Sequence, residues 1–155
     1  MDIESAARAL LLVCLASSTA WAASFVLGRH FAAPLDFGLE LPDGKRLFGS
    51  HKTWRGFAAG MFACALAAPF VGLEVVTGAA FGAAALAGDA LSSAIKRRLA
   101  LEPGSEVPGL DQLPEALVPL VLLAEPLELG IVEITVVALA FVALDLLATP
   151  LRHGK

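Results

Sequence analysis

The sequence predicts an all-α, polytopic integral membrane protein, and three observations carry that reading. Hydrophobic residues make up 57% of the chain and charged residues 17%, whereas a water-soluble domain is about half apolar and about a quarter charged. The mean hydropathy is +0.76. The apolar residues also gather in runs close to the roughly 20 residues that a helix needs to cross a bilayer. The length of 155 residues fits one domain, 1–155. The net charge of -4 argues against a nucleic-acid partner. Cys14 and Cys64 both lie in apolar runs and have no metal-ligand spacing, so they read as small membrane-buried residues.

Five spans are expected. Ala6 to Gly28 is the first. It contains a signal-peptide-like "AWAA" at 20–23, but Asp2 and Glu4 stand against Arg8 where a signal peptide is net positive, so a retained helix is expected. Phe57 to Leu73 is the second, near the lower length limit. Val75 to Ile95 is the third, with Asp89 inside it. Its small residues, from Gly78 through Gly88, let helix backbones approach closely and place it at the centre of the bundle. The fourth, from about Pro114 to Leu129, carries three prolines and three glutamates and reads as a short, kinked or re-entrant span. Ile131 to Leu151 is the fifth and contains Asp145, for which a loop cation is the expected partner.

Five spans put ten of the eleven lysines and arginines on one side, with Arg8 opposite. Lysine and arginine concentrate on the cytoplasmic side of membrane proteins. The expected topology in the cell (inner) membrane is therefore an external N-terminus with both long loops and the C-terminal tail in the cytoplasm. Four spans would put the tail cations on the wrong side.

The polar residues that could do chemistry crowd that same side. Asp89, Ser92, Ser93 and Lys96 are spaced three, four and seven apart and share one helix face. About 10 Å along the axis separates Asp89 from Lys96, at 1.5 Å per residue. An acid in an apolar layer usually faces a bundle interior or a wet cavity. Asp89 reads either as the ion-pair partner of a loop cation or as a magnesium ligand, since magnesium takes one or two carboxylates and completes its shell with water and phosphates. The second loop, "EPGSEVPGLDQLPE" (102–115), has turns at Pro103-Gly104 and Pro108-Gly109 before Asp111. Asp111 reads as a second carboxylate or as the cap of the next helix. The first loop carries "GKRLFGSHKTWRG" (44–56), where Lys52 and Arg55 read either as interfacial anchors or as a phosphate cradle. Acids and cations converging from separate loops suit metal-assisted phosphoryl chemistry.

The pieces "GKRLFGSHKTWRG", "GDALSSAIKRRLALEPGS" and "PGLDQLP", in this order, resemble the CDP-archaeol synthase family, membrane CTP-dependent cytidylyltransferases related to the CDP-diacylglycerol synthases. The resemblance runs from about Pro34 to Ala116. It implies a magnesium-dependent nucleotidyltransferase of phospholipid biosynthesis that joins CTP to a lipid phosphate and releases pyrophosphate. Asp89 and Asp111 match the family's metal-binding acids, and Lys96 joins them as a catalytic residue. Lys52, Thr53, Arg55, Ser93 and Arg97 match substrate-binding positions. Diacylglycerol-type relatives carry a second acid three residues after the first in the later motif, and Pro114 stands there in this chain. One or two metal ions, ether or ester lipid, and monomer or homodimer all stay open. The competing readings are a small transporter or channel subunit, which would use Asp89 and Asp145 to line a pathway, and a non-catalytic member of the same family.

Overall fold

The computed structural model describes residues 2–102 and 105–153. Five α-helices follow one another: α1 (Ile3–Leu27), α2 (Trp54–Ala67), α3 (Val75–Arg98), α4 (Gln112–Leu122) and α5 (Ile131–His153). No strand occurs among the described residues; the first loop has only two isolated bridges, Pro34 with Thr53 and Glu40 with Arg46. The Pro103-Gly104 turn expected from the sequence lies outside the described residues.

Several helix ends have a local cause. Asp2 caps α1, its carboxylate accepting the Glu4 N–H at 3.0 Å. Thr53 caps α2, its hydroxyl accepting the Gly56 N–H at 3.4 Å. Pro69 tightens the end of α2 into a 3-10 turn, Ala68–Val71, which Gly72 closes in the left-handed region. Lys96, Arg97 and Arg98 fill the last turn of α3, where cations complement the negative end of the helix dipole.

Four segments are long and apolar enough to cross a membrane: Ile3–Leu27, Trp54–Val71, Val75–Arg98 and Ile131–Thr149. The expected fourth span is short, as its prolines suggested. The helix there, α4, has 11 residues, about 16 Å at 1.5 Å per residue, against a hydrocarbon layer of about 30 Å. It contains Pro119 and gives way to turns through residue 128. The chain still crosses from one end of the bundle to the other: α4 starts beside the last turn of α3, where Lys96 pairs with Asp111, and α5 starts beside Asp2, whose N–H donates to Glu133 at 2.8 Å.

The core joins Ala9, Leu12, Val13 and Ala16 of α1 to Phe81 and Ala85 of α3, Leu120 of α4 and Phe141 of α5. The α1 set is spaced three and four apart and forms one stripe. As the small residues of α3 require, α2 and α3 touch backbone to backbone: a Cβ on Gly82 would come within 2.8 Å of the Gly60 carbonyl. The outside is apolar. Phe25, Phe62, Leu66, Phe70, Leu139 and Leu147 are exposed, a surface that water does not tolerate and lipid does. Neither Cys14 nor Cys64 is in a disulfide, and Cys64 is buried.

Candidate active site

The two long connections, residues 28–53 and 99–111, meet at one end of the bundle. The first is held by Asp36. Its Oδ2 accepts the N–H groups of Phe48 and Gly49, both at 3.0 Å, and its Oδ1 accepts the Gly38 N–H at 3.0 Å and pairs with Arg46. Burial pushes the Asp36 carboxyl up, but Arg46 and the three N–H groups outweigh it and hold the pKa at about 2. The loop then returns antiparallel to itself, with Leu35 N–H on the Lys52 carbonyl at 2.7 Å and Trp54 N–H on the Ala33 carbonyl at 3.0 Å. Lys52 thereby sits one residue before the cap of α2, and its ammonium pairs with Asp89 of α3.

Farther along α3, Lys96 and Arg97 are buried. Lys96 Nζ lies 2.5 Å from Asp111 and donates to the Ser105 carbonyl at 2.8 Å. Arg97 donates to the Glu102 carbonyl at 2.6 Å. The hydroxyls of Ser92 and Ser93 donate to the Asp89 carbonyl at 2.8 and 3.2 Å. Asp111 takes the cap position of α4 without capping it: its carboxylate turns back to the Val107 N–H at 2.9 Å and to Lys96.

These groups enclose a cavity of about 300 Å³. Lys52, Thr53, Asp89, Ser93, Lys96, Arg97 and Asp111 all line it, so seven of the eight residues singled out in the sequence come together. Arg55 does not. Its guanidinium donates to the carbonyls of Gly28 and His30, at 2.8 and 2.5 Å, where α1 ends. One residue inside α2, it points toward the open carbonyls of a neighbouring helix terminus, which attract a cation.

Three further acids line the cavity, of which the sequence singled out only Asp145, and that only as an intramembrane acid. Glu115 is buried, hydrogen-bonds Ser17, and shares the cavity with Asp89, Lys52 and Asp145. Asp145 accepts from the Gln112 amide at 2.9 Å, not from the loop cation expected for it. Glu106 also lines the cavity. A signal for Glu115 was present: it lies four residues after Asp111, on the same helix face. The position of Pro114 is taken up by packing, since a Cβ on Gly88 would run into the Pro114 carbonyl and come within 3.0 Å of the Glu115 Cα. Glu115, one residue beyond the place the motif suggested, lines the same cavity as Asp89.

The donor set suits magnesium. Among the described residues no three His, Cys, Asp or Glu side chains converge as a complete cage. Magnesium rarely uses such a cage; it takes one or two carboxylates and finishes its shell with water and substrate phosphates. Five carboxylates (Asp89, Glu106, Asp111, Glu115, Asp145) face three full cations (Lys52, Lys96, Arg97) around the cavity.

The family model described as CarS-like, CDP-archaeol synthase, matches residues 7–76 and 68–153. The CDP-archaeol synthase of Methanopyrus kandleri is 46% identical over 86 residues, 52% of this chain and 50% of that one. That of Aeropyrum pernix is 49% identical over 86 residues, 52% and 49%. The chain spans about half the length of these two curated relatives in the match. That of Sulfolobus acidocaldarius is 34% identical over 119 residues, 73% of each chain. A solved structure described as an intramembrane enzyme for archaeal membrane lipids biosynthesis superposes with a TM-score of 0.72 at 38% identity, covering 90% of this chain and 91% of that one.

Proposed function

The chain belongs to the CDP-archaeol synthase family, and we propose that it transfers the cytidylyl group of CTP to a membrane lipid phosphate, yielding a CDP-activated lipid and pyrophosphate for phospholipid synthesis. The observation that carries the reading is the cavity at the end of the bundle, where Lys52, Lys96 and Arg97 meet Asp89, Glu115 and Asp111. Cations there neutralise phosphates. The apolar helix surfaces beside it accommodate the tails of a lipid whose headgroup reaches the site.

A lipid phosphate oxygen attacks the α-phosphorus of CTP, the new P–O bond forms, and the bond from the α-phosphorus to the bridging oxygen of the β-phosphate breaks. The attacking oxygen is already ionised at neutral pH, so no strong base is required. Lys96 and Arg97 stabilise the charge that grows on pyrophosphate as it leaves. Lys52, released from Asp89 by the incoming phosphates, holds the triphosphate against the acidic wall. Asp89 and Glu115 would hold magnesium, whose chemistry there is to offset the negative charge of the triphosphate. Thr53 and Ser93 orient the substrates along the wall.

The loop end of the bundle faces the cytoplasm in this reading. Arg29, Lys45, Arg46, Lys52, Arg55, Lys96, Arg97 and Arg98 belong to that end, against Arg8 at the other, and CTP is made there. An impermeant thiol reagent applied from outside should leave a cysteine at position 50 unlabelled in a background lacking Cys14 and Cys64. The activity itself is tested by incubating the detergent-purified protein with labelled CTP and a lipid phosphate. Label should enter the lipid fraction only when magnesium and lipid phosphate are both present; absence of transfer with ether- and ester-linked acceptors alike would overturn the reading.

A further inference from the structure

Arg97 faces two spaces. Besides the catalytic cavity it lines a second one of about 350 Å³, on the far side of the first loop, together with Lys45, Arg46, Gly49, Ser50 and Glu102. Three cations line this second cavity, and Glu102 is its one carboxylate. Two of the cations have spare donors. The Nε atoms of Arg46 and Arg97 are buried without a hydrogen-bond partner, and Arg97 is 6% exposed. Among the described residues Arg97 has no carboxylate partner; it donates to a main-chain carbonyl. A buried guanidinium left short of acceptors is costly unless an anion completes it. The loop passes close to it at Gly49, where a backbone φ of +99° favours glycine and a Cβ would make an ordinary contact with the Arg97 Cδ at 3.9 Å.

We infer that this second cavity is a binding site for a free polyphosphate anion, and that it receives the pyrophosphate released by cytidylyl transfer, Arg97 contacting the anion from both sides as it passes. The inference rests on the proposed activity for the identity of the anion, but not for its binding. Lys45 is the residue to change. It belongs to the second cavity and not to the first, and its ammonium is otherwise engaged only with the Arg98 carbonyl at 3.4 Å.

The test uses the full chain in detergent, with magnesium pyrophosphate titrated calorimetrically in the absence of CTP. An exposed charge pair is worth up to about 1 kcal/mol, so Lys45→Ala should bind pyrophosphate about three- to fivefold more weakly, and Lys45→Glu more weakly still. In turnover, product inhibition by pyrophosphate should ease by the same factor while KM for CTP stays unchanged. Equal pyrophosphate affinity in all three proteins would overturn the site. So would a rise in KM for CTP matching the loss of pyrophosphate binding, because the cavity would then be the seat of the triphosphate itself. Lys45-dependent pyrophosphate binding in a protein that never labels lipid would sink the proposed reaction and leave the anion site standing.

Discussion

The two ends of the bundle handle charge in opposite ways. At the end where α1 and α5 begin, acids accept main-chain N–H groups: Asp2 takes Glu4 N–H at 3.0 Å, and Glu133 takes the N–H groups of Asp2 and Gly130 at 2.8 and 3.0 Å. At the loop end, Asp89 pairs with the side-chain ammonium of Lys52, and Asp111 pairs with that of Lys96 besides accepting the Val107 N–H. A main-chain donor cannot leave, so an acid bound to it is a cap. A lysine can swing to a phosphate, so an acid bound to it can be exchanged onto a metal. Asp36 sharpens the rule. It lies at the loop end but is held by three main-chain N–H groups, and it supports the site without entering the cavity.

The largest effect should come from the most exchangeable acid. Asp89→Asn keeps the side chain's size and removes its charge. Turnover should fall by a factor on the order of 10²–10³ or more, the scale for loss of a group that stabilises transition-state charge, while the variant still purifies from membranes as a folded protein. Near-normal turnover at low magnesium would mean that Asp89 only partners Lys52. Glu115→Gln comes next. Loss of a residue that orients or ligates a metal costs about 10- to 100-fold in metal affinity, so the magnesium midpoint should rise by about tenfold or more, with less change in kcat at saturating metal. Pro114→Asp should leave that midpoint where it is, because the main chain at 114 is pressed against Gly88. A midpoint that moved with position 114 and not with 115 would reverse the assignment of the second acid.

That assignment also marks where sequence reasoning stopped. The long helices were legible because lipid demands about 20 apolar residues in a row, and α1, α3 and α5 supply them. The convergence of the two loops was legible from the cations, which crowd one end. Asp89, Lys96 and Asp111 stood out as charges in or beside apolar runs. Glu115 did not, because the prolines and glutamates around it read as a weak span; its burial comes from the contact between α3 and α4 at Gly88, which no local pattern encodes. Asp145 was visible as an intramembrane acid, but its amide partner Gln112 lies 33 residues away. Arg55 looked equivalent to Lys52 in sequence, three residues apart; the start of α2 between them sends one into the cavity and the other to the end of α1. Asp36 had a local sign, an Asp two residues before a Gly, as in a turn where the carboxylate takes the glycine N–H.

Asp36 predicts a pH dependence of stability at the loop end. Its folded pKa of about 2 lies below the ordinary 3.8, so its contribution is complete above pH 3.8 and is lost as pH falls toward 2. Discounted for screening by nearby water, that contribution is on the order of 1 kcal/mol. Thermal unfolding in detergent should show the wild type losing this increment between those pH values. Asp36→Asn should unfold earlier at neutral pH and lack the acid-dependent loss. An identical acid profile in the two proteins would show that the carboxylate does not carry the loop.

The smallest effect belongs to the other end. Asp2 is held below its ordinary pKa first by the Ser5 hydroxyl, at 2.6 Å, and then by the Glu4 N–H. Both partners are within three residues, so the interaction reports on the first turn of α1 and on nothing else. Asp2→Ala should therefore lower Tm slightly, by less than Asp36→Asn does, and leave KM for CTP and the magnesium midpoint unchanged. Asp2→Asn, which can still accept the Glu4 N–H as a cap, should recover most of the lost Tm. The comparison between the ends depends on this result. If Asp2→Ala shifted the magnesium midpoint, the caps at the closed end would be setting the position of α5 and, through Asp145 and Gln112, the wall of the cavity. The closed end would then be part of the site and not merely its scaffold.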